Sequence, residues 1–243
     1  MSVAPAASRS EVLREIPLAI DPAEVLRFQG YQRGVDVPGP DVQALFEEAL
    51  ALGRRLMEPR AAVCWSSVRE ETPDRLTLTD GLAFTIPGIA RAWGAVAEVA
   101  GAVVTIGRAL EARVAALWDA RELPLAAMLD SVGSGAVESL AEHVNDLLCQ
   151  QGVARGVRVT NRISPGYGGW DVGEQTLLWQ LVDGRPLGVE LNGACFMTPE
   201  KTITLLVGAG PHARVDHDVS QCARCWMVGC AYRRAPAALT VHR

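Results

Sequence analysis

Between Asp41 and Met57 the apolar residues Val42, Leu45, Phe46, Ala49, Leu52 and Leu56 recur at the spacing that turns one helix face toward a core, and Pro59 closes the segment. Upstream, Asp21-Pro22 predicts a short helix running to Arg27, with the aspartate as N-cap and the proline at the first helical position. The period then changes. Leu76 and Leu78 alternate with threonines, Asp80-Gly81 follows, and Leu82, Phe84 and Ile86 alternate again, which predicts a hairpin. Residues 89–98 read as helical, and AVVTIG at 102–107 reads as a buried strand entering a helix that aligns Leu110, Val114 and Leu117. One further helix presents Leu125, Met128, Leu129 and Val132. Another, N-capped by Ser134, presents Val137, Leu140, Ala141, Val144 and Leu148, and leaves Glu138, Glu142 and Asn145 together on a different face.

GVRVTNR at 156–162 alternates like a strand, and residues 164–169 form a loop with three glycines. Asp171 and Glu174 make a capping pair that starts a helix through Val182. Residues 188–197 and 201–207 read as two strands around Thr198-Pro199-Glu200. Strands and helices mix without a regular βαβ period, so the expected fold class is α+β: a single compact domain with a mainly antiparallel sheet and flanking helices. The Ala/Ser/Pro-rich residues 1–16 are expected to be a flexible N-terminus. The domain is expected to span 17–236, with a cysteine-rich segment at 222–234.

Charge and composition narrow the function. With 28 acidic against 23 basic residues, net charge −5, there is no overall positive field to attract phosphate backbones, so no nucleic-acid partner is expected. The most apolar stretch, 93–106, carries Glu98 and glycines and is too short and broken to span a bilayer. The first residues lack the apolar core of a secretory signal. The expected location is cytoplasmic, with no membrane partner.

There is no GxSxG elbow, P-loop, GxGxxG or HExxH. None of His143, His212, His217 and His242 has a motif neighbour that recommends it. Cys222-Ala-Arg-Cys225 followed by Cys230 supplies three thiols at spacings suited to three corners of a tetrahedral metal site. Cys195 is the preferred fourth ligand, with His217 behind it, while Cys64 and Cys149 lie in segments read as core. Reduced thiols that only pack remain the open alternative. Arg233 and Arg234 would lower thiolate pKa values in either case.

The sharpest feature is Arg162-Ile-Ser-Pro-Gly166-Tyr167. An arginine at a strand end can grip a carboxylate with its planar fork, a Pro-Gly turn lets backbone approach a ligand, and Tyr167 adds a phenol at the lip. Taken with its surroundings, RISPGYGGWDVGEQTLLWQL resembles the RxxxGY segment of the activation (reactivation) domain of cobalamin-dependent methionine synthase. MLDSVGSGAVESLAEHVND at 128–146 is similar to that family's helix before the motif. LNGACFMTPEKTITLLVGAG with the cysteine-rich ending, and IDPAEVLRFQGY at 20–31, resemble its short stand-alone members. The likeness covers most of 20–234 and is strongest from 128 onward. Two stretches depart from the pattern: Gly168, Gly169 and Trp170 stand where proline and cysteine follow the tyrosine, and the family's tyrosine pair has no counterpart around Ile203 and Thr204.

The resemblance implies S-adenosylmethionine as cofactor, its carboxylate held by Arg162, with Gly166, Tyr167 and Glu138 also at the site and Tyr167 as the catalytic residue facing cobalt. It further implies reductive methylation of a Co(II)/Co(I) corrinoid. The corrinoid-binding signature DxHxxG is absent, so cobalamin is expected on a partner, a corrinoid-binding protein or a methionine synthase core, with the electron donor unidentified. Gly166, Gly168, Gly169 and Trp170 are expected to form an apolar face for the flat corrin. Two other functions stay open. One is a redox module in which the cysteines hold a redox metal or an Fe–S cluster and pass electrons to a corrinoid protein; zinc, which is redox-inert, is the other metal those cysteines could hold. The other is a docking module without methyl transfer.

Overall fold

In the computed structural model, which describes residues 10–14 and 16–215, the elements run β1 (Glu11–Arg14), α1 (Pro22–Phe28), α2 (Pro40–Leu56), β2 (Arg60–Thr72), β3 (Arg75–Leu78), β4 (Ala83–Thr85), α3 (Ile89–Trp93), β5 (Glu98–Thr105), α4 (Ala109–Asp119), α5 (Leu123–Ala154), β6 (Arg158–Val159), α6 (Gln175–Leu181), β7 (Glu190–Leu191), β8 (Met197–Thr198) and β9 (Thr202–Gly210). The main sheet has the order β4-β3-β2-β5-β9-β6, and every pairing in it is antiparallel. Both ends of β2 are covered along one edge, by β1 at residues 60–63 and by β3 at residues 68–72. β7 and β8 make a separate two-stranded ribbon. The class is α+β with helices flanking an antiparallel sheet, as the mixed periodicities require.

Alternation along the central strands builds two cores. On β5, Ala100, Ala102 and Val104 face α1, α2, α4 and α5, whereas Val99 and Val103 face α3, α6 and the segments around them. β9 sends Leu205, Val207 and Ala209 to the first layer and Leu206 to the second. A strand buried on both faces reads as a continuous apolar run, which is why AVVTIG was recognisable. β2 was not foreseen: Ala61–Cys64 are all buried and the residues after them vary in exposure, so no single period emerges.

α1 and α2 form where expected, and Asp21 Oδ1 accepts the Ala23 N–H at 2.9 Å as an N-cap. The Asp80-Gly81 hairpin joins β3 to β4. α3 is shorter than expected, because Gly94 (φ 68°) ends it at Trp93; a Cβ there would lie 2.8 Å from the His212 carbonyl. Glu11–Arg14, expected in a frayed terminus, instead extend the sheet beside β2.

The two helices expected on either side of Ser134 are one helix of 32 residues. Ser134 does not cap; its hydroxyl donates to the Asp130 carbonyl one turn back and accepts from Lys201 Nζ. Gly133 and Gly135 suggest a break in the sequence, but they allow close packing. A Cβ at Gly133 would sit 2.8 Å from Leu110 Cδ2, and one at Gly135 2.9 Å from Val25 Cγ2. The expected strand 156–162 is also irregular, with only Arg158–Val159 in ladder geometry. The chain still follows β9, because Thr160 exchanges hydrogen bonds with Gly208 and Ile163 with Leu206. The expected strand 188–197 is largely a turn: Asn192 Oδ1 accepts the N–H groups of Ala194 and Phe196, and Cys195 adopts φ 64°. No helix among the described residues is long and apolar enough to cross a membrane.

Candidate functional site

α5 carries Glu138 and Glu142 one turn apart, on the same face. The irregular run along β9 brings Arg162 against that face. Ile163 is fixed by its paired hydrogen bonds to Leu206, and the Ser164 hydroxyl donates to the Thr204 carbonyl at 2.7 Å. Arg162 is therefore held from behind by β9 and met from the front by α5. Its Nη2 donates to Glu138 Oε2 and to Glu142 Oε1, each at 2.8 Å. The arginine side chain is 8% exposed, that of Glu138 26% and that of Glu142 55%. Burial works against the guanidinium charge, but the two carboxylates outweigh it and hold Arg162 above the ordinary arginine pKa. The residue stays cationic at any working pH.

Two residues on from Arg162, the segment Ser164–Trp170 closes on itself. Gly166 N–H donates to the Trp170 carbonyl at 2.8 Å, and Trp170 N–H to the Tyr167 carbonyl at 2.9 Å. Gly166, Gly168 and Gly169 have φ of 89°, 60° and 86°, left-handed values that side chains other than glycine rarely adopt. This tight turn pushes Tyr167 outward to 51% exposure, and a Cβ at Gly168 would meet nothing within 4 Å. The structure thus brings Glu138 onto Arg162 and places Gly166 and Tyr167 on the adjoining loop.

Trp170 corrects the sequence reading. It was expected to add apolar surface beside Tyr167, yet it is 2% exposed, meets Phe84 edge-on at 5.9 Å, and donates from Nε1 to Glu174 at 2.7 Å. Asp171 does cap the following turn through Gly173 N–H, but the Glu174 carboxylate takes Trp170 Nε1 and Thr85 N–H. The exposed apolar neighbour of the loop is instead Val172, whose Cγ2 would lie 3.9 Å from a Cβ at Gly166. Thr204, in the region where this chain has no counterpart of the tyrosine pair named above, is buried and exchanges hydrogen bonds with Gln175.

Glu142 is the site residue that sequence reasoning missed. The available signal was its position one turn from Glu138 on a face free of apolar residues.

Among the four proposed metal ligands, Cys195 lies on the Asn192–Phe196 turn, with Sγ 3.9 Å from the Gly173 carbonyl. Cys222, Cys225 and Cys230, with His217, lie outside the described residues. Among the described residues no three His, Cys, Asp or Glu side chains group to hold a metal ion. Cys64 is buried, and burial, followed by the nearby Asp146, pushes the Cys149 thiol up. Cys195 is therefore expected to be alkylated by iodoacetamide before Cys64 or Cys149 in the native protein, which peptide mapping after brief labelling reads directly.

No protein-family model and no curated protein matches the chain. Its architecture is that of helices flanking an antiparallel sheet. Among solved structures, a similar fold is found in the crystal structure of the MetH reactivation domain bound to AdoHcy, at a TM-score of 0.64 over 88% of this chain and 82% of that one, with 16% sequence identity.

Proposed function

We propose that this chain binds S-adenosylmethionine at Arg162 and supports reductive methylation of a corrinoid carried on a separate polypeptide. The observation that carries the reading is the buried guanidinium of Arg162 set among two carboxylates. It occurs on the fold whose MetH representative was solved with AdoHcy bound. The amino-acid end of such a ligand bears a carboxylate and an ammonium, and S-adenosylmethionine adds a sulfonium. Arg162 suits the first, and the carboxylate of Glu138 suits the cationic groups. Bound S-adenosylmethionine would supply an electrophilic methyl group to a reduced corrinoid. The protein's own part is to orient that methyl group, with the Gly166–Gly169 turn giving a partner close access and Tyr167 projecting toward it.

The test mixes the protein with a corrinoid protein, a strong reductant and S-adenosylmethionine, and follows the methylcobalamin spectrum. Formation that depends on this chain supports the reading; corrinoid-protein docking without any S-adenosylmethionine affinity overturns methyl transfer. Tyr167→Phe should leave folding and ligand binding intact and slow remethylation roughly tenfold, the scale of losing one positioned donor. Gly168→Leu meets open space, although leucine at φ 60° costs on the order of 1–2 kcal/mol. It should stay folded and lose docking. If it docks and remethylates normally, the turn is not the corrin face. The cysteine-based electron-transfer reading depends on residues outside the described range and predicts a coloured protein with stoichiometric iron.

A further inference from the structure

The carboxylate contacts of Arg162 impose a condition on any ligand that the proposed function brings there. A guanidinium grips a carboxylate with two prongs in two ways: end-on through both terminal nitrogens, or side-on through Nε and the terminal nitrogen on the same side, Nη2. Both ways use Nη2. That nitrogen carries two hydrogens, and it already serves two oxygens, Glu138 Oε2 and Glu142 Oε1, each at 2.8 Å. A ligand carboxylate that takes the fork must therefore displace one glutamate.

The two glutamates differ in what release costs. Glu138 is 26% exposed, whereas Glu142 is 55% exposed and can swing into water with little loss of hydration. Resting on the reading of Arg162 as a ligand carboxylate site, we infer that Glu142 is an internal stand-in for the ligand's carboxylate, displaced when the ligand binds. Its effect is to moderate affinity: a ligand carboxylate must break the Glu142 contact to take Nη2, whereas a nucleoside without a carboxylate leaves that contact in place. Glu138 stays in place as the fixed anionic partner of Arg162. The resting site keeps its buried cation neutralised, which avoids the penalty of an uncompensated buried charge.

Calorimetry on the full chain tests this with two probes: AdoHcy, which has a carboxylate, and 5′-methylthioadenosine, which does not. AdoHcy carries no sulfonium, so its ammonium, which the proposed function assigns to Glu138, is the one ligand cation left near the site, and Glu138 is unchanged in the variant. Glu142→Gln should bind AdoHcy about 3- to 10-fold more tightly than wild type, the scale of one half-exposed charge contact. Its affinity for 5′-methylthioadenosine should be unchanged. Weaker binding of AdoHcy by Glu142→Gln would mean that Glu142 holds the ligand rather than competing with it, and the inference falls. Equal binding also overturns it. In both cases wild-type binding that is lost in Arg162→Ala keeps the carboxylate-site reading standing. Absence of AdoHcy binding in wild type removes both ideas together. Glu142 is largely exposed, so thermal melting of Glu142→Gln should match wild type and exclude a folding artefact.

Discussion

Arg162→Ala is expected to abolish AdoHcy and S-adenosylmethionine binding and to destabilise the protein by about 2–4 kcal/mol, below the full cost of breaking a buried pair because Glu142 is half in water. The loss has two sources. Glu138 and Glu142 would be left facing each other one turn apart with no cation between them, and a cavity would open between α5 and the run beside β9. Arg162→Lys separates the effects. It restores a positive charge and much of the stability, but an ammonium cannot offer a planar fork, so ligand binding should stay poor. Chemical denaturation and calorimetry on the same two variants provide the check. If Arg162→Ala binds AdoHcy as well as wild type, Arg162 is structural and the proposed site is wrong.

The second large effect is expected at Trp170. Trp170→Ala should cost about 3–5 kcal/mol, since it removes a fully buried indole, its edge-on contact with Phe84, and the donor that satisfies Glu174. The carbonyl of Trp170 also accepts from Gly166, and its N–H donates to the Tyr167 carbonyl, so the indole anchors the turn that presents Tyr167. At temperatures where the variant is still folded, remethylation should fall more than AdoHcy affinity, because Arg162 is held by β9 and α5 independently of the turn. Trp170→Phe, which keeps most of the apolar area and loses the donor, should show a smaller loss of stability. An equal loss of ligand affinity and remethylation in Trp170→Ala would mean that the turn and Arg162 are not separable.

Elements defined by one local signal were legible in the sequence. The Asp21 cap, the α2 periodicity and the Asp80-Gly81 hairpin each depend on chemistry within a few residues, and each is present. Errors arose where a local signal had a distant cause. Gly133 and Gly135 look like a helix break, but they are small because Leu110 and Val25 press against them. Trp170 sits among glycines and looks like surface, yet its ring is claimed by Phe84 from a hairpin far upstream. For the site, Arg162 and Tyr167 were legible from their motif. Glu142 was visible only as part of a polar helix face, because nothing in α5 reveals that the irregular run beside β9, twenty residues on, will turn its arginine back onto that face.

The unbroken course of α5 has a consequence for motion. Glu138 and Glu142 sit on a helix whose opposite face is locked into the core from Leu125 to Leu148, and Arg162 leads into a residue paired with the buried strand β9. Neither backbone can shift without disturbing the interior, so the spacing between the acidic and basic halves of the site is fixed. What remains mobile at this end is side-chain rotation, on picosecond to nanosecond timescales. On the proposed function, exchange of carboxylates at Arg162 is therefore a local rotameric event, and a slow step is expected in the approach of a partner to the Tyr167 turn.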